Sequence, residues 1–332
     1  MYLEFFKLTE FPFGNGCDER FYFASELHVE ALANMVYTVR QRRGMVLITG
    51  EVGAGKTFLG SMLAGRLGLG ATVVTISHPP SSPRQLLRAL LSGLGVNESQ
   101  EADKLTLAEQ AEAELERQFR RHRTVALVLD EAQALPDEAL EEVRMLWNWE
   151  RQGHRLLQIV LIGQPELADR LQCARWESLR QRIILSYHLG HLSVGDTARY
   201  VLHRRQVAAA EGCLLRFTME AIKLIYLSTK GVPRLINSLC DNALLVGLAR
   251  GQHKITSDIV ATVLRDMTCW SLNGAPAQLP GAGLLEGAAE AEAEANAEAA
   301  DEGTYVPEPG TPLLTDTPAE SWQFIEASAD FT

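Results

Sequence analysis

The sequence predicts an α/β fold, a parallel five-stranded sheet flanked by helices, followed by a small all-α domain and a disordered acidic tail. Three observations carry this reading. Up to residue 191, five short branched apolar runs alternate with amphipathic segments, the pattern of a parallel sheet covered on both faces. From residue 192 the strand-like runs stop and only helical periodicity remains. Beyond Trp270 the composition turns to Ala, Glu, Gly and Pro: from Ser271 onward there are twelve Asp or Glu and no Lys or Arg.

Taken in order, SELHVEALANMVYTVRQRR (Ser25–Arg43) opens on a residue suited to an N-cap and repeats Leu27, Ala31, Leu32, Met35, Val36 and Val39 at helical spacing, until Gly44 ends it. MVLIT follows as the first buried strand. ATVVTIS (Ala71–Ser77), TVALVLD (Thr124–Asp130), LLQIVLIG (Leu156–Gly163) and RIILSYHL (Arg182–Leu189) read the same way. Helical patterns at Lys56–Leu67, Arg84–Leu94, Leu105–Arg121, Asp137–Glu150 and Glu166–Leu171 fill the intervals. In the second part Val194–Ala209, Thr218–Ser228, Pro233–Ala249 and Thr256–Met267 are helical, the first capped by Ser193 and the third begun by a proline. The chain thus divides at 1–191, 192–270 and 271–332.

The totals narrow the class. Net charge is −11, but residues 1–270 carry 31 basic against 30 acidic groups, so the acidity belongs to the tail and says little about what the folded part binds. Five widely spaced cysteines with no CxxC pair favour a reducing compartment. No run approaches 18 apolar residues, and the N-terminus has neither the basic start nor the apolar block of a signal peptide. The expected location is cytoplasmic.

The chemistry centres on GEVGAGKT (Gly50–Thr57), which fits G-x-x-x-x-G-K-[ST] between a strand and a helix. Successive backbone N–H groups of such a loop face phosphate oxygens at a helix N-terminus, where the macrodipole also favours an anion. Gly50, Gly53, Ala54, Gly55 and Phe58 are the accompanying nucleotide-binding candidates. Lys56 reaches the outer phosphates and Thr57 places its hydroxyl on Mg²⁺. Asp130, at the end of an apolar strand, is a second anchor for the metal, and Glu131 beside it is a candidate to activate an attacking water. The competing reading has the pair merely cap the next turn. A base for water favours hydrolysis over phosphorylation of a second substrate. Gln164 ends another strand in IGQPEL, where its amide can touch the terminal phosphate or cap the following helix. Arg180 and Arg182 in LRQR and Arg234 in KGVPRLIN are each either phosphate contacts or solvated surface charges. His188 and His191 lack metal-ligand spacing. Trp147 and Trp149 read as half-buried packing, and the basic runs Arg40–Arg43 and Arg117–Arg123 as helix ends favoured by the dipole.

Together GEVGAGKT, LVLDEAQAL, LLQIVLIGQPEL, LRQRI and KGVPRLINSLCDNALL resemble the AAA+ P-loop ATPases of the ExeA or GspA family, associated with type II secretion and related pilus systems. The N-terminal FFKLTEFPF and the SELHVEAL helix extend the resemblance over roughly residues 1–268. It implies an ATPase with ATP and Mg²⁺. Lys56 and Thr57 take the Walker A positions, Asp130 and Glu131 the Walker B pair, and Gln164 the sensor 1 place. Arg234 becomes the sensor 2 arginine of a helical lid, and Arg180 or Arg182 the arginine finger of a neighbouring subunit. The implied protein is a homo-oligomer that moves its lid on hydrolysis and serves assembly of a secretion or pilus apparatus. Members working at the inner membrane can carry a transmembrane helix and a peptidoglycan-binding domain after the ATPase. Here an acidic tail ending in SWQFI (Ser321–Ile325) stands instead, either a partner-docking segment or an inert solubilising one. A DNA-associated AAA+ ATPase is the alternative. The near-neutral folded part and the lack of a helix-turn-helix extension argue against nucleic acid.

Overall fold

Five parallel strands form the sheet: β1 (Met45–Gly50), β2 (Ala71–Ile76), β3 (Thr124–Leu129), β4 (Leu157–Gly163) and β5 (Ile183–Leu189). Their order is β2-β3-β4-β1-β5 in a computed structural model that describes residues 2–16, 18–97 and 101–271. All of these lie within one compact unit, Met1–Leu279. The acidic tail and its Ser321–Ile325 segment fall outside the described residues.

The central strands are apolar on both faces, and the period of two sorts their side chains into two layers. Met45, Leu47, Val125, Leu127, Leu129, Ile159 and Leu161 point into one core, and Val46, Ile48, Ala126, Val128, Val160 and Ile162 into the other. Helices α1 (Glu26–Arg40) and α2 (Lys56–Leu67) close the second layer. The first is closed by α3 (Pro83–Gly93), α4 (Lys104–Arg120), α5 (Asp137–Leu146) and α6 (Pro165–Gln172). Side chains fix where two of these begin: Ser82 accepts from the N–H of Gln85, and Asp103 from that of Thr106.

Two local expectations need correction. β5 is an edge strand with alternating exposure, Ile184 standing 58% exposed, rather than a strand buried on both faces. The helix expected over Asp137–Glu150 stops at Leu146, because the chain turns at Gln152 and Gly153 into a two-residue hairpin pairing Glu150–Arg151 with His154–Arg155. A short helix, Tyr2–Phe6, was not legible.

Past residue 192 come α7 (Val194–Val207), α8 (Met219–Thr229), α9 (Pro233–Ala249) and α10 (Ser257–Ser271), with a two-residue parallel ladder between Arg216–Phe217 and Lys254–Ile255. Their core is completed by the N-terminal segment: Tyr2, Phe6, Leu8, Phe13 and Phe21 pack among Val201, Ile225, Leu239 and Leu244. The Arg204 guanidinium donates to the carbonyls of Pro12 and Gly14, each at 2.6 Å, and so straps that segment to α7. No helix among the described residues is long and apolar enough to cross a membrane.

Candidate functional site

The register of the sheet brings the candidates to one edge. Thr49 pairs with Gly163 and Leu129 with Leu161, so the loop after β1, Asp130 after β3 and Gln164 after β4 leave the carboxyl ends of three adjacent strands. That edge is where open α/β sheets bind ligands.

The loop Glu51–Gly55 arches from β1 into α2, with Gly53 at φ +85° and Gly55 at φ +95°. At Gly53 the requirement is double. The left-handed backbone disfavours a side chain, and a Cβ there would stand 2.7 Å from Cβ of Arg234. The helical lobe thus rests directly on the loop, and the N–H of Arg234 faces the carbonyl of Gly53 at 3.4 Å. Behind the loop His28 is buried, with Nδ1 2.6 Å from the Ser25 hydroxyl and Nε2 3.1 Å from the Ala54 carbonyl. The carbonyl can only accept, so Nε2 carries the proton and Nδ1 accepts from Ser25.

Lys56 is 5% exposed and its Nζ donates to the carbonyls of Gly50 (2.8 Å) and Glu51 (2.9 Å). Burial pulls its ammonium below the usual lysine range, against the opposing pull of Glu131, Asp130 and Glu51, while the Arg234 charge acts in the same sense as burial. The Thr57 hydroxyl donates to Oδ2 of the buried Asp130 at 2.7 Å, and Oδ1 of the same carboxylate accepts the N–H of Glu131 at 2.9 Å. Glu131 sits in the left-handed region (φ 52°, ψ 36°), a costly conformation for a non-glycine residue of the kind found at functional sites. Its carboxylate accepts from Gln133 Nε2 at 2.6 Å and faces Gln164 Nε2 at 3.4 Å.

A cavity of about 270 Å³ opens over the loop. Gly53, Gly55, Lys56, Thr57, Phe58 and Glu131 line it from the α/β part, and Leu192, Tyr200, Arg204, Arg234 and Asn237 from the helical lobe. Gly50, Ala54, Asp130 and Gln164 stand behind this lining rather than in it. A third wall went unread in the sequence: Asn15, Phe21, Tyr22 and Phe23 of the N-terminal segment, with Tyr22 stacked on Phe58 at 5.4 Å between centroids and 5° between planes. A polar chain joins the walls, Tyr200 donating to Asn237 Oδ1 at 2.8 Å and Asn237 to Asn15 Oδ1 at 3.1 Å. His28 and Gln133 also support the site, from within SELHVEAL and LVLDEAQAL, with no local pattern that singles either out.

Arg180 and Arg182 are not brought to the cavity. Arg180 is exposed at the end of a short helix, Glu177–Arg180, with one contact at 3.3 Å to the Gln172 carbonyl. Arg182 is pinned, donating to Asn148 Oδ1 at 3.1 Å and lying 5.2 Å over the Trp147 ring, which Arg155 covers at 3.9 Å. Trp147 accordingly packs and does not line the cavity. His188 meets Thr49 at 3.1 Å. Among the described residues no cluster of three His, Cys, Asp or Glu could cage a metal. The donor set fits Mg²⁺ held partly by phosphate: one hydroxyl and one carboxylate in contact, with no all-protein cage.

A P-loop opening a helix and an Asp-Glu pair two strands away lie within one stretch of similarity to a known family, and a helical lobe is seated on the loop. Residues 39–171 match the family model described as AAA domain. Over most of the chain the sequence is similar to General secretion pathway protein A of Aeromonas hydrophila, 36% identical over 292 residues, which are 86% of this chain and 53% of that protein. That is the resemblance the motifs carry. The chain spans about half the length of this curated relative. In fold it is similar to the ORC2 protein of Aeropyrum pernix in ADPNP-ADP complexes (TM-score 0.60, 16% identity, 75% of this chain and 71% of that one). Cdc6p of Pyrobaculum aerophilum (TM-score 0.62, 15% identity, 81% and 75%) and the RuvB branch migration motor of Thermotoga maritima (TM-score 0.53, 16% identity, 78% and 74%) share it too.

Proposed function

We propose that the chain is a Mg²⁺-dependent ATPase that hydrolyses ATP in a homo-oligomer and couples this to assembly of a secretion or pilus apparatus at the cytoplasmic side of a membrane. The observation that carries the reading is the Thr57–Asp130–Glu131 chain of contacts beside Lys56, with Thr57, Glu131 and Lys56 lining one cavity with Arg234. Nucleotide binding is favoured by the AAA domain and by relatives of the fold seen with ADP and ADPNP. The secretion context rests on the similarity to a general secretion pathway protein.

In this reading the loop N–H groups and Lys56 hold the phosphates, and the base lies between Tyr22, Phe58 and the helical lobe. Thr57 and Asp130 hold Mg²⁺, which neutralises charge on the phosphates when bound. Glu131 takes a proton from the attacking water, and Gln164 orients it. Arg234 ties phosphate to residues 192–270, which act as a lid. Gly231 fixes the entry to that lid: its φ is +76° and a Cβ would stand 2.0 Å from the Leu192 carbonyl, so the loop before α9 crosses the start of the lobe at backbone contact. Arg180, exposed and loosely held, is better suited than pinned Arg182 to reach another subunit. The reading is tested by phosphate release from ATP, with Mg²⁺ and with a chelator, for the wild type, Lys56→Ala and Glu131→Gln. Turnover by Glu131→Gln at the wild-type rate rejects the base assignment.

A further inference from the structure

Gln133 has no part in the scheme above, yet its amide makes the shortest contact to the Glu131 carboxylate. Nε2 donates to Glu131 Oε2 at 2.6 Å, and Oε1 accepts the backbone N–H of Gln164 at 3.0 Å. The orientation is forced. A flipped amide would set oxygen against carboxylate and N–H against N–H. The pocket for the amide is equally specific, since a Cβ on Gly163 would lie 2.9 Å from Gln133 Oε1, so the end of β4 has room for this group only because it is glycine.

The backbone presents the residue deliberately. Glu131 in the left-handed region starts a 3-10 turn, Ala132–Ala134, and the turn returns Gln133 to the side of Glu131. Arg170 of α6 then fixes the turn, its Nη1 donating to the carbonyls of Gln133 at 3.3 Å and Leu135 at 2.6 Å. One side chain therefore spans the ends of β3 and β4, touching the carboxylate at one end and the main chain of Gln164 at the other.

We propose that Gln133 is a positioning residue for hydrolysis: it aims the Glu131 carboxylate and locks it to the end of β4, so that base and Gln164 move as one body. This rests on the reading of Glu131 as the base. A misplacement of about 1 Å at a reacting group can cost about 100-fold in rate, and Glu131 without this amide keeps only the 3.4 Å contact to Gln164.

The test is steady-state ATP hydrolysis by full-length chain carrying Gln133→Leu, which loses both hydrogen bonds, and Gln133→Glu, which keeps an acceptor for Gln164 but replaces the amide donor with a second carboxyl group competing for a proton beside Glu131. Each variant is expected to lose about 10- to 100-fold in kcat with KM for ATP within about twofold of wild type. Added to Glu131→Gln, Gln133→Leu should cost far less than its full factor, because with the base gone only the hold on Gln164 is left to lose. If wild type does not hydrolyse ATP, or Glu131→Gln matches it, the base assignment and this inference fall together. If Glu131→Gln is slow but both Gln133 variants keep wild-type kcat, or if Gln133→Leu slows Glu131→Gln by its full factor, the role of Gln133 alone is overturned.

Discussion

Lys56 and Glu131 divide binding from chemistry, and their surroundings say how each should fail. The Lys56 ammonium is buried among carbonyls and carboxylates, so Lys56→Ala removes a charge-assisted donor from a desolvated position. ATP affinity should fall about 10- to 100-fold, read by titration of a fluorescent nucleotide. Glu131→Gln keeps size and polarity while removing the proton acceptor. It should bind ATP as wild type does and turn over about 100- to 10,000-fold more slowly. Equal losses of affinity in both variants would sink the division. Gly53 makes a third case: Gly53→Ala sets a methyl against Cβ of Arg234, so the helical lobe must lift from the loop. Weaker nucleotide binding and a lower melting temperature are expected.

Among the elements, α1 reaches the phosphate loop through His28. Burial holds the His28 imidazole below its usual range, outweighing the raising effects of the Ala54 carbonyl and Asp196. The sign follows directly. Above about pH 6.5 the ring is neutral in folded and unfolded chains alike; as pH falls the unfolded chain takes its proton first, so stability drops. Between pH 7.5 and 5.5 the wild type should therefore lose more stability than His28→Gln, measured by denaturant midpoints, and parallel losses would contradict this. The same helix shows what was legible in the sequence. Its apolar spacing, the phosphate loop and the Asp-Glu pair are local patterns, and each sits within a residue or two of its expected place. The N-terminal wall was not legible, because Asn15 meets Asn237 and Pro12 meets Arg204 across about 200 residues, a convergence no local period encodes. Gln133 hid for another reason: its partners are set by the left-handed turn at Glu131, and Glu gives no warning of that conformation.

For the whole molecule, Arg180 lies before β5, at the opposite end of the strands from the phosphate loop. A protomer cannot bring the two together without unfolding its own sheet, so any contact between Arg180 and phosphate has to come from a second copy. This makes subunit mixing decisive. Arg180→Ala should bind ATP normally and hydrolyse it about 1,000-fold or more slowly, in the range known for trans arginines. Glu131→Gln is slow for a different reason and keeps its Arg180. Mixed in equal amounts, the two inactive proteins should regain activity, because an Arg180→Ala subunit with its own Glu131 then meets the Arg180 of a Glu131→Gln neighbour. Arg182→Ala should instead lower the melting temperature by unpinning Trp147, with no rescue on mixing. Mixtures that stay as inactive as their components, at concentrations where wild-type activity is saturated, would reject catalysis across a subunit boundary.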